Sequence, residues 1–100
     1  MDIENIRQIF NVLGCKHSIE VLLAIYMGYD RSDSLRDHLS KYNLSESAIS
    51  NTLARLEHAK LIKREYMKTK PRKVKYNLTE LGNLFASFIN DLCMKYGVTV

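Results

Sequence analysis

The chain has no apolar run approaching the ~20 residues a helix needs to span a bilayer. Its first residues, Met1-Asp2-Ile3-Glu4-Asn5, are acidic where a secretory leader would be basic. An intracellular, cytoplasmic protein without a membrane partner is the expectation. Cysteine is scarce: Cys15 and Cys93 lie far apart and form no C-x-x-C, so neither a disulfide framework nor a zinc cluster is indicated, and both read as packed small hydrophobes. Glycine-rich phosphate loops, an H-E-x-x-H, paired inward carboxylates and a nucleophile with its base are all missing, which argues against an enzyme, a bound metal or a cofactor. Proline occurs once, as Pro71.

What is present is a basic segment. The net charge of +4 is modest, but Lys60, Lys63, Arg64, Lys68, Lys70, Arg72, Lys73 and Lys75 face only Glu65 between residues 60 and 75, a local +7 that leaves −3 for the rest of the chain. Charge gathered in this way is the electrostatic footprint expected of a phosphate-binding surface. At 100 residues the chain is expected to be one domain, 1–100, with one core.

Just before that segment runs Ser45-Glu46-Ser47-Ala48-Ile49-Ser50-Asn51-Thr52-Leu53-Ala54-Arg55-Leu56-Glu57-His58-Ala59. Ser45 is a good N-cap, Glu46 suits the positive end of a helix dipole, and no Gly or Pro intervenes, so a helix is expected. Ile49, Leu53 and Leu56 form its core stripe with Thr52 at the edge. The opposite arc carries Ser47, Asn51, Ala54 and His58, flanked by Ser50 and Arg55. A merely solvated helix usually carries Lys/Glu pairs four apart; here small hydrogen-bonding side chains stand instead, a face suited to close approach into a groove.

Elsewhere the periodicity predicts a helix over 2–13 with Ile3, Ile6, Phe10 and Leu13 in one stripe, then a buried helix capped by Ser18 and stopped by Gly28. A polar loop over 29–34, with room for a short strand, and a two-turn helix with Leu35 and Leu39 inward follow, and Tyr42-Asn43-Leu44 makes a turn. Helix, three-residue turn and helix make a helix-turn-helix over 34–59. Alternation over 61–67 and 73–78 predicts two antiparallel strands joined by Lys68-Thr69-Lys70-Pro71-Arg72, a basic wing over 61–78. Thr79 can cap a last helix, 79–96. Its Leu84, Phe85, Phe88, Ile89, Leu92 and Tyr96, with Ile3, Ile6 and Phe10, exceed what one small core absorbs, so both terminal helices are expected to pair with a second copy.

The fold class expected is therefore mainly α with a small two-stranded β-wing: a winged helix-turn-helix with N- and C-terminal helices for dimerisation. That order of elements resembles the winged-helix transcription regulators, most closely the HxlR group, with MarR, PadR and ArsR types as neighbours. Val12-Leu13-Gly14-Cys15-Lys16-His17 resembles the group's I-G-x-K-W. Leu53-Ala54-Arg55-Leu56-Glu57-His58-Ala59-Lys60-Leu61-Ile62 resembles L-x-x-L-x-x-x-G-L-[IV], and Val74-Lys75-Tyr76-Asn77-Leu78-Thr79-Glu80-Leu81-Gly82 resembles V-x-Y-x-L-T-x-x-G. The chain departs from the pattern at His17, where tryptophan is usual, at Lys60, where glycine is usual, and at Lys73, an added residue before the second strand. No effector carries over from the resemblance.

The resemblance implies a homodimeric, sequence-specific binder of double-stranded DNA acting as a transcriptional repressor. The open alternatives are a sequence-independent architectural DNA-binding protein or a winged-helix protein-interaction module. The chemistry divides the labour: short or bidentate polar side chains read base edges, while Lys and Arg neutralise phosphates. Ser47, Ser50, Asn51 and Arg55 are the expected readers, with Ser45 at the helix start. Lys68, Lys70, Arg72, Lys73 and Lys75 are expected phosphate contacts, joined by Ser34 and Arg36 from the preceding helix.

Overall fold

A helix that is apolar nearly all round has to be buried all round, and Val21 to Ile25 are sealed from solvent in the centre of the computed structural model, which describes residues 2–68 and 74–97. These residues belong to α2 (Ser18–Tyr26), against which α1 (Ile3–Leu13), α3 (Ser32–Leu39), α4 (Glu46–His58) and α5 (Glu80–Tyr96) all pack. The strands β1 (Ile62–Tyr66) and β2 (Val74–Leu78) pair antiparallel, from Ile62 opposite Leu78 to Tyr66 opposite Val74. Ile62 and Tyr76 on one face of this hairpin close the core. The winged helix-turn-helix architecture is as expected, and no single helix among the described residues is long and apolar enough to cross a membrane.

Local chemistry explains most element ends. Asp2 accepts from the Asn5 amide at 2.9 Å, Ser45 Oγ from the Ala48 amide at 3.1 Å and Thr79 Oγ1 from the Gly82 amide at 2.9 Å, three side-chain caps on α1, α4 and α5. Ser18 is not a cap. The chain turns at His17 in the left-handed region, φ 69°, so Ser18 is already helical and lies wholly buried, its hydroxyl without a hydrogen-bond partner among the described residues. Similarly, α3 begins at Ser32, two residues before the helix-turn-helix was expected to start, because Arg31 is extended and bridges to Lys75. The Tyr76 amide donates to the Asp30 carbonyl at 2.6 Å, so the short strand for which the polar loop left room is there, as a third rung on the wing. Between α3 and α4 the turn is longer than three residues: a 3-10 turn, Ser40–Tyr42, precedes Asn43 at φ 57°, and Leu44 packs against the core.

One junction positions the wing. At the end of α4 the Leu61 amide donates to Leu56 O at 3.0 Å and the Lys60 amide to Glu57 O at 2.9 Å. This is a Schellman closure whose left-handed residue is Lys60, φ 63°. Onto it docks the start of α5: Thr79 N donates to Leu61 O at 3.0 Å and Thr79 Oγ1 to Lys60 O at 2.7 Å. Gly82 then lies against the backbone of Leu61 so closely that a Cβ there would stand 1.8 Å from the carbonyl oxygen. The L-T-x-x-G motif is thus a joint between helix, wing and last helix.

Candidate nucleic-acid interface

The core stripe of α4 is Ile49, Leu53 and Leu56 as expected, joined by Thr52, which is buried rather than at the edge and whose hydroxyl donates to Ala48 O at 2.7 Å. Burying that stripe turns Ser47, Ser50, Asn51, Ala54, Arg55 and His58 outward, and all six are exposed. The four expected readers therefore share one open face with Ser45 at its leading end. Arg55 is less free than its neighbours, since its guanidinium donates to Thr52 Oγ1 at 3.4 Å.

From α3, Arg36 reaches the same end of α4, its Nη1 3.9 Å from Glu46 Oε1. Ser34 is half-buried inside α3, and its hydroxyl donates to Arg31 O at 3.1 Å. On the wing, Lys68 is exposed. Lys75 is half-buried with its Nζ 3.8 Å from Asp30 Oδ2, so part of its charge is already answered within the fold. Lys70, Arg72 and Lys73 lie outside the described residues.

The hairpin is tied to α4 by Arg64, whose Nη2 is 3.5 Å from Glu57 Oε1 and whose guanidinium lies over the Tyr76 ring at 6.0 Å. A hydrogen bond with the Tyr66 side chain, outweighing the opposite effect of burial, raises the Arg64 pKa above its ordinary value, helped by the nearby Glu57 carboxylate. Arg31 beside β2, and Lys63 and Tyr66 on β1, are exposed and were not among the expected contact residues. The signal for Lys63 was its place in the basic segment; for Arg31 none existed before its bridge to Lys75 was seen.

On the far side, Phe10 of α1 meets Phe85 of α5 edge-on, centroids 5.8 Å apart. On the same two helices Ile3, Ile6, Leu84, Phe88, Leu92 and Tyr96 are exposed large hydrophobics, with Phe88 at 60 %. Phe85 and Ile89 differ from the expectation in part: both are half-buried and packed against the core. Cys15 and Cys93 are free and half-buried, and no group of three or more metal-ligating side chains occurs among the described residues. His38 stacks on Tyr29 at 3.9 Å, and burial, with Lys41 second, lowers its pKa below the usual imidazole value.

Compared with protein families, residues 12–98 match the model for the HxlR-like helix-turn-helix. Among solved structures the chain is similar to a crystal structure titled as a transcriptional regulator of the MarR family from Porphyromonas gingivalis W83. The TM-score is 0.74 at 20% identity, over 100% of this chain and 97% of that one. No curated protein matches it in sequence.

Proposed function

The chain belongs to the HxlR-like helix-turn-helix family of DNA-binding transcription regulators, and from that premise we propose that it is a cytoplasmic homodimer that reads a specific duplex sequence and represses transcription by occupying it. The observation that carries the reading is the exposed arc of α4, dressed in Ser47, Ser50 and Asn51 beside a basic hairpin. Such an arc fits the major groove, where Asn pairs with adenine and short hydroxyls serve either base. The hairpin lies along the backbone, its lysines and arginines supplying affinity without sequence information. Repression by occupancy needs nothing beyond tight binding.

Dimerisation through α1 and α5 is supported by their exposed apolar side chains, which would leave a large greasy patch on a monomer. A two-fold dimer of this kind spaces its recognition helices about one DNA turn, ~34 Å, and so calls for a palindromic site. Sequence-independent binding is favoured by one observation, the contact of Arg55, the one arginine of α4, with Thr52 at 3.4 Å, which engages part of the helix's strongest guanine-reading side chain. The two readings separate in fluorescence anisotropy on selected and random duplexes. Sequence-specific binding makes Asn51→Ala cost about 1–3 kcal/mol on the selected site and little on random DNA. Equal losses on both establish the architectural reading, and absence of salt-sensitive binding to either duplex removes DNA as the partner.

A further inference from the structure

α4 has two acids on its surface, and they differ in kind. Glu57 is matched to Arg64 at 3.5 Å and ties the hairpin to the helix. Glu46, the first helical residue, has a side chain 82% exposed and among the described residues meets only Arg36, at 3.9 Å, with the arginine itself half exposed. Ser45 already caps the helix, so Glu46 adds to the end of α4 only through the helix dipole. Yet the leading end of a recognition helix is the part that enters the groove, and a carboxylate there repels phosphate unless a base gives it a proton to accept. In the major groove the donor that glutamate takes is the exocyclic amine of cytosine.

We propose that Glu46 is a base reader selecting cytosine at one position of each half-site, with Arg36 as the cation that holds it until DNA is bound. The inference rests on the DNA-binding reading above. A long, exposed ion pair is weak, so it exchanges easily: Arg36 passes to a phosphate and Glu46 to the amine, and both charges remain answered. One turn further on, Ser50 lies on the same side of α4 as Glu46, and with it reads the step beside that cytosine.

The test is random-sequence selection with the wild-type chain, Glu46→Ala and Glu46→Gln, followed by competition between the selected site and one with the cytosine replaced by thymine. Circular dichroism checks that each variant is folded. The wild type should enrich cytosine at a fixed place in each half-site and lose on the order of 10-fold affinity when it is replaced. Glu46→Ala should lose that preference alone, keep the rest of the motif, and bind unrelated duplex more tightly than the wild type. Glu46→Gln should move the preference toward adenine, with which a side-chain amide pairs. An unchanged motif and an unchanged replacement penalty in both variants would overturn the proposal and leave Glu46 a partner of the helix dipole only. Failure of the wild type to bind any duplex is a different result: it removes the DNA-binding reading, and the assignment of Glu46 falls with it.

Discussion

Replacing Gly82 with alanine is the sharpest test of how the wing is held. In an open helical position the change would stabilise by about 1 kcal/mol, because glycine is a poor helix former. Here the added methyl would stand 1.8 Å from Leu61 O and 2.8 Å from its carbonyl carbon, both backbone atoms that cannot swing aside. To reach even the 3.0 Å below which real Cβ contacts essentially never fall, α5 must retreat by more than an ångström. That retreat stretches the hydrogen bonds from Thr79 to Leu61 O and Lys60 O, worth about 0.5–1.5 kcal/mol each. It also opens the packing around the buried Leu61 and Ala86. Overpacking adds about 1–3 kcal/mol, so a net loss of about 3 kcal/mol is expected after the helix-propensity gain. For a domain this small that is a fall in Tm on the order of 10–20 °C. Gly14→Ala is the control, since Gly14 has φ −78° and an added Cβ there would meet Phe10 O at 3.3 Å. Its effect should stay within about 1 kcal/mol. Urea and thermal unfolding of both variants decide the matter: a Gly82→Ala protein as stable as its parent would refute the close docking of α5 on the α4–β1 junction.

The same junction makes a prediction of opposite sign. Lys60 holds a left-handed φ of 63°, so Lys60→Gly should stabilise by about 0.5–1 kcal/mol in urea unfolding; a clear loss would mean that the lysine side chain contributes more than its strain removes. For the apolar face, Phe88→Glu should convert the proposed dimer to a folded monomer in analytical ultracentrifugation, since Phe88 is exposed and the core does not depend on it. An unchanged sedimentation coefficient would move the interface elsewhere. For pH, burial and then Lys41 hold His38 below its ordinary value of 6.5, so on acidification the unfolded chain takes up a proton before the folded one does. Stability should therefore fall as pH drops through about 6.5 and level off below the folded value, and His38→Phe, which keeps the stack on Tyr29, should flatten that part of a urea-midpoint profile.

Much of the candidate interface was legible before any coordinates, because its determinants are local. The core stripe of α4 dictates its exposed arc, and Ser45 and Thr79 cap the helices they were expected to cap. The two strands follow from alternation between residues a few positions apart. Less legible was the state of each side chain within the site. Lys75 and Ser34 have the right chemistry for phosphate, yet one is engaged by Asp30 and the other by Arg31 O. Likewise, Ser18 has the chemistry of a cap but follows a left-handed turn at His17.

The chain by itself determined the number and order of the elements, the polar arc and the clustering of positive charge, since periodicity, capping and charge density depend on residues within a turn or two of one another. Tertiary structure alone decided that Thr79 and Gly82 lock α5 to the end of α4, that Arg64 and Asp30 tie the hairpin down from two sides, and that Lys60 must carry a glycine's backbone angle. Those outcomes depend on which faces meet once the core closes around α2, and atoms brought together from distant stretches leave no trace in the spacing of either stretch alone.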